Sequence, residues 1–227
     1  LALVVVPAQA QTEPPFTLAN AEQPVAIPTY DVSGQVVHPS VIYFETGYPY
    51  KYVMAFTPFP NSNDDYENPS VAFSNDGITW TEDGVQNPLA LPPDYTNYHL
   101  CDPDILWDGK EFKLYYLESY HGTSPYTYTL KLLVSKDGVK WSGPYDVLQM
   151  KGWISPAIIY DQDERKYKMW YTNASTSPYT VWYAESLDGY NWVNFTEVNF
   201  PYNISGKQPS HIEVQKLSNG IYMMLVS

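Results

Sequence analysis

The chain has one cysteine, Cys101, in 227 residues, so no internal disulfide framework can hold it together. Basic side chains are scarce: 12 Lys and Arg against 25 Asp and Glu leave a net charge of −13 at pH 7. Such a chain repels phosphate backbones and anionic lipid surfaces, which argues against nucleic-acid and membrane partners. No stretch approaches the ~20 consecutive apolar residues of a membrane helix. No segment carries a capped 3.6-residue apolar period, so almost no helix is expected. The phosphate-binding loop, the dinucleotide-binding glycine fingerprint and the H-E-x-x-H zinc motif are all absent. Aromatics and proline are plentiful instead, with 22 Tyr, 7 Trp and 20 Pro. That mixture suits strands and sugar-binding surfaces better than helical bundles. With 44% apolar residues the chain can bury a core, and its length suits one all-β domain.

The start reads differently from the rest. Leu1-Ala-Leu-Val-Val-Val-Pro7 is followed by Ala8-Gln9-Ala10, the pattern of a signal-peptide end with cleavage before Gln11. Residues 1–10 are therefore expected to be a signal remnant, and the protein to be secreted, periplasmic or held at the cell surface. Residues 11–30, proline-rich and without a clear period, read as a linker or N-terminal arm.

From residue 31 onward a repeat runs through the chain. Four quartets align: His38-Pro-Ser-Val41, Asp102-Pro-Asp-Ile105, Ser155-Pro-Ala-Ile158 and His211-Ile-Glu-Val214. Each leads into a turn and then an aromatic-x-Met/Leu step, a hairpin signature. A second motif closes three units: Ser74-Asn-Asp-Gly-Ile-Thr-Trp80, Ser135-Lys-Asp-Gly-Val-Lys-Trp141 and Ser186-Leu-Asp-Gly-Tyr-Asn-Trp192. Asp-Gly makes the tight turn, and the Trp is expected to pack back as core. A four-stranded antiparallel unit of roughly 50–60 residues is a propeller blade. The expectation is an all-β propeller over residues 31–227, five-bladed when complete and here about three and a half blades, incomplete at the C-terminus.

These aligned strands and turns resemble the five-bladed propeller glycosidases: glycoside hydrolase family 43 and the related families 32 and 68. Asp102-Pro-Asp-Ile-Leu-Trp-Asp-Gly-Lys-Glu-Phe-Lys-Leu-Tyr-Tyr116 looks most like a blade-opening strand of family 43. The resemblance implies a catalytic Asp on blade 1, a modulating Asp on blade 3 and an acid Glu before Pro on blade 4. Those places hold His38, Ser155 and Lys207-Gln-Pro209 here, so the family's triad is not carried over.

Inner-strand side chains alternate with period two, which puts the first and third quartet residues on one face. His38/Ser40, Asp102/Asp104, Ser155/Ala157 and His211/Glu213 should then meet around one axis. Glycoside hydrolysis needs two carboxyl groups, one protonated and one ionised. Asp102, Asp104 and Glu213 are the expected catalytic residues. His38, Glu67, Asn68, His99, Trp153 and His211 are the expected sugar-binding residues, lying on inner strands, on a loop before Pro69 or at strand–loop junctions. No cofactor is assigned. An axial metal ion on His38 and His211 is the alternative, without a short ligand spacing to mark it. Two functions fit: a glycosidase acting on a polysaccharide or oligosaccharide, or a non-catalytic carbohydrate-binding or adhesion propeller.

Overall fold

A computed structural model describes residues 24–199 and 207–227. The expected signal remnant and the arm up to residue 23 lie outside the described residues. Three four-stranded antiparallel sheets follow one another, each in sequence order from inside to outside. The first holds β1 (Val36–Tyr43), β2 (Tyr52–Pro58), β3 (Ser70–Ser74) and the short β4 (Trp80–Thr81). The second holds β5 (Tyr98–Trp107), β6 (Phe112–Tyr120), β7 (Thr127–Ser135) and β8 (Ser142–Lys151). The third holds β9 (Trp153–Asp161), β10 (Lys166–Asn173), β11 (Thr180–Ser186) and β12 (Trp192–Glu197). A hairpin of β13 (Ile212–Lys216) and β14 (Tyr222–Val226) opens a fourth blade. The chain is an all-β propeller of three full blades and a further half. The inner strands β1, β5, β9 and β13 pack in sequence order, and the only helical pieces among the described residues are two single turns in the β2–β3 loop.

The core lies between blades rather than inside one. Val53, Phe73, Leu100, Phe112 and Tyr116 fill the space between the first two. Cys101, Tyr115, Leu117, Ile158, Met169 and Tyr171 fill the next, and Ala157, Trp170, Ile212 and Val214 the third. Each sheet thus buries both faces near the axis, while outer strands such as β12 stay exposed. From the arm, Ile27 packs against Met54, Phe56 and Ala72 of blade 1.

The closing motif has one hydrogen-bond pattern in all three blades. The serine hydroxyl accepts from the glycine N–H at 2.9 Å in each, at Ser74, Ser135 and Ser186. The aspartate oxygen accepts two further amides, for Asp137 those of Val139 at 2.9 Å and Lys140 at 2.8 Å. The glycine between them needs a left-handed backbone, with φ of 74° at Gly77, 72° at Gly138 and 79° at Gly189, which explains why no other residue stands there. Trp192 is buried as expected, but Trp80 and Trp141 are only half-buried. Their indole N–H groups donate to the carbonyls of Gly77 (3.2 Å) and Gly138 (3.0 Å). In blade 3 the Gly189 carbonyl instead accepts from the Tyr115 hydroxyl of blade 2 at 2.9 Å. Trp192 Nε1 is then left buried without a partner. Tyr115→Phe should cost about 1–2 kcal/mol, because a buried acceptor loses its donor. Urea unfolding of the two proteins would measure it, and equal midpoints would mean that Trp192 has taken over the carbonyl.

A second inter-blade device is less visible in the sequence. The hairpin turn of blade 2 places Asp108 and Glu111 around Lys113, and that of blade 3 places Asp161 and Glu164 around Lys168. The next blade then donates a tyrosine hydroxyl to the turn aspartate: Tyr167 to Asp108 at 2.6 Å, and Tyr222 to Asp161. Lys216 of blade 4 also reaches Asp161, at 2.6 Å.

Candidate functional site

The first residues of three quartets share a backbone conformation that the sequence does not announce. His38, Asp102 and Ser155 have φ of 52°, 49° and 51°. A residue before proline normally sits in the extended region, and a non-glycine residue at positive φ is strained. In β1 and β5 the register slips at this point, between Val37 and Ser40 and between Cys101 and Asp104. The β9–β10 pairing slips at the equivalent place. These bulges break the even alternation expected along the inner strands and turn three successive residues toward the axis. His211 precedes Ile212 rather than proline and is not among the residues at positive φ.

Around the axis the first residues converge. His38 Nε2 stands 3.4 Å from Asp102 Oδ1, and His211 Nδ1 stands 3.8 Å from the same oxygen. The two imidazole rings lie 4.8 Å apart between centroids. The other Asp102 oxygen accepts the Ser155 N–H at 2.8 Å, so one oxygen braces blade 3 while the other faces the imidazoles. Burial, and then the neighbouring His211, hold the His38 pKa below its ordinary value, outweighing the attraction of Asp102. His38 is thus favoured as a neutral imidazole with a free lone pair. Ligand atoms of His38, Asp102 and His211 all lie within 4.8 Å of one another, and no other such group of His, Cys, Asp and Glu occurs among the described residues. Two imidazoles and a carboxylate, with no Lys or Arg lining the cavities around them, form a donor set suited to a divalent transition metal.

Two cavities meet at this cluster. One, of about 480 Å³, runs along the axis from His38, Asp102 and His211 to Asp104 and Glu213. The other, of about 340 Å³, lies to the side and is walled by Glu67, His99, Cys101 and Tyr128 as well as the same three residues. Glu67 is buried, with Oε1 3.7 Å from His38 Nδ1. Burial, reinforced by the charges of Asp102 and Asp64, pushes its carboxyl up to about 8. Burial also raises the Cys101 thiol well above its usual range, so it is no nucleophile.

Asp104 lines the axial cavity but is heavily engaged. It accepts from the Ser40 hydroxyl at 2.6 Å and the Ile158 N–H at 2.5 Å, tying blades 1, 2 and 3 together. Burial still raises its carboxyl above the ordinary range. Glu213 is raised as well, by burial first and then by Asp104. Two expected sugar ligands lie elsewhere. The Asn68 amide donates to Tyr30 Oη at 2.8 Å and to the Asp65 carbonyl at 3.2 Å, fastening the loop to the arm. Trp153 stacks on Tyr171 at 3.9 Å between blades 2 and 3 and lines neither cavity. Its neighbour Ile154 takes the place on the cavity wall, because alternation turns Trp153 away. Tyr128, a wall residue, had no local sequence signal; only its pairing within β7 brings it there.

No protein-family model matches the chain. A curated relative, the A type blood N-acetyl-alpha-D-galactosamine deacetylase of Flavonifractor plautii, is 27% identical over 226 residues, covering 80% of this chain and 29% of the relative. Among solved structures, an N-acetylgalactosamine deacetylase from F. plautii in complex with blood group B trisaccharide matches with a TM-score of 0.72 at 25% identity, over 82% of this chain and 60% of that one. A family 117 glycoside hydrolase from Zobellia galactanivorans matches with a TM-score of 0.59 at 18% identity, over 85% of this chain and 66% of that one. The chain therefore spans less than a third of the curated relative and 60% of the solved deacetylase. The propeller-glycosidase resemblance read from the sequence holds at the level of fold.

Proposed function

We propose that the chain is the catalytic propeller of an exported hydrolase that removes the N-acetyl group from an amino sugar in a glycan, with a divalent cation held by His38, Asp102 and His211. The observation that carries this reading is the convergence of those three ligand atoms within 4.8 Å at the meeting point of two cavities. The likeness to N-acetylgalactosamine deacetylases supports the substrate class. A bound cation would polarise the amide carbonyl and make water a stronger nucleophile. The residues of the chain supply the rest. The neutral His38 imidazole and the outward oxygen of Asp102 hold the site in place, and the bond from Asp102 to Ser155 fixes that carboxylate's orientation. Glu67, beside His38 and walling the same cavity, would take a proton from the attacking water and return it to the leaving nitrogen. Water adds to the acetyl carbon, the C–N bond breaks, and acetate and the free amino sugar are the products.

The engagement of Asp104 with Ser40 and Ile158 weighs against its service as half of a glycosidase acid/base pair. The purified chain incubated with an N-acetylgalactosamine-terminated oligosaccharide should release acetate, and a chelator should stop the release. New reducing ends without acetate would replace this reading with glycoside hydrolysis. Binding without either product would replace it with a non-catalytic carbohydrate module.

A further inference from the structure

We propose a second saccharide subsite, separate from the axial cavities, between the N-terminal arm and the β2–β3 loop. It rests on the carbohydrate reading above, not on the bond cleaved. A cavity of about 370 Å³ there is lined by Asp31, Ser33, Pro60, Asn61, Asn63 and Tyr66. That size falls within the range of small-molecule sites. Its chemistry is that of neutral-sugar recognition: one aromatic face with carboxamides, a hydroxyl and a carboxylate around it. Tyr66 is 39% exposed. One side of its ring stacks toward Tyr30, at 6.5 Å between centroids, so the ring is held in place by the arm. The Tyr30 hydroxyl donates to the Tyr66 carbonyl at 3.0 Å and itself accepts from Asn68 at 2.8 Å. The platform is therefore built before a ligand arrives, which lowers the ordering cost of binding.

The polar groups are also in place. Asp31 lines the cavity, with its Oδ1 buried and without a hydrogen-bond partner. Asn63 spends its side-chain oxygen on the Asp65 N–H, at 3.1 Å, which leaves its amide N–H groups to donate. Asn61 holds φ of 52° in a turn pinned by the bond from its N–H to Gln35 Oε1 at 3.0 Å.

Position ties this cavity to the active centre. Phe59 and Glu67 wall the lateral axial cavity, while their chain neighbours Pro60 and Tyr66 wall this one. The two cavities share one loop as their partition. A saccharide running from the lateral cavity over this loop would meet Tyr66 on its far side. The flanking Asp31, Asp64 and Asp65 select against sulfated, sialylated or uronic units and favour neutral ones.

The test compares N-acetylgalactosamine with a neutral trisaccharide ending in it, by calorimetric titration of wild type and Tyr66→Ala. The alanine variant keeps the backbone carbonyl that anchors Tyr30. The trisaccharide should bind Tyr66→Ala about tenfold more weakly, with monosaccharide affinity unchanged. Tyr66→Phe should bind like wild type, and Asp31→Asn should also weaken only the trisaccharide. Equal losses for both ligands, or no loss for either, would overturn the subsite. Trisaccharide binding by wild type without acetate release would sink the deacetylase reading and leave the subsite standing. No saccharide binding at all would overturn both.

Discussion

Asp102→Asn should leave the protein folded and reduce acetate release about 10³-fold. Asparagine keeps an oxygen for the Ser155 N–H, so the brace between blades 2 and 3 survives. It removes the negative charge that faces His38 Nε2 and His211 Nδ1. A metal centre stabilises transition-state charge by several kcal/mol. At ~1.4 kcal/mol per factor of ten, losing about 4 kcal/mol of it corresponds to that thousandfold drop. Cation binding should weaken in step, whereas the melting temperature measured with chelator present should match wild type. Unchanged turnover in the asparagine variant would remove Asp102 from the mechanism. A large fall in melting temperature would assign it to architecture instead.

The second large effect concerns stability. Asp161→Ala should cost about 3–5 kcal/mol, the usual result of removing one member of a buried ionic group. Asp161 is fully buried, and Lys168 is 1% exposed. Burial opposes the charge on Asp161, but Lys216, Tyr222 and Lys168 outweigh it and hold its carboxyl well below the usual carboxylate range. A depressed carboxylate stabilises the fold fully above its unfolded value, ~3.9, and loses that contribution as pH falls toward the folded one. Wild type should therefore lose stability in acid more steeply than Asp161→Ala. Denaturant unfolding at neutral and acidic pH reads both quantities. A neutral-pH difference under about 1 kcal/mol would mean that water replaces the network. The double change Asp161→Leu with Lys168→Met should recover only part of the loss, because Lys216 and the Tyr222 hydroxyl still lose their acceptor.

The blade repeat was legible because turns are local. Ser-x-Asp-Gly-x-x-Trp closes its own hydrogen bonds within a few residues, so its spacing can be read without knowing the rest of the fold. The positions that meet on the axis were legible too, since the repeat aligns His38, Asp102 and His211. What could not be read was direction. The left-handed residue before proline runs against the ordinary local preference, so the bulge that turns three successive residues inward is a product of ring packing. The directions of Asn68 and Trp153 were not legible either: their side chains turn to the arm and to the blade interface. The clamp around Lys168 escaped because its members come from two blades, with Lys216 and Tyr222 far along the chain.

The left-handed position before proline has an evolutionary consequence. At three equivalent places the same kink presents an imidazole, a carboxylate and a hydroxyl. Backbone in this region costs on the order of 1–3 kcal/mol per residue, and glycine would relieve it. His38, which makes no hydrogen bond that the fold needs, occupies this backbone conformation at a cost in stability. Glycine at position 38 would relieve the strain and remove one imidazole from the axial cluster. The ring could equally accept a different functional group in the same socket and take up new chemistry, without relearning how to fold.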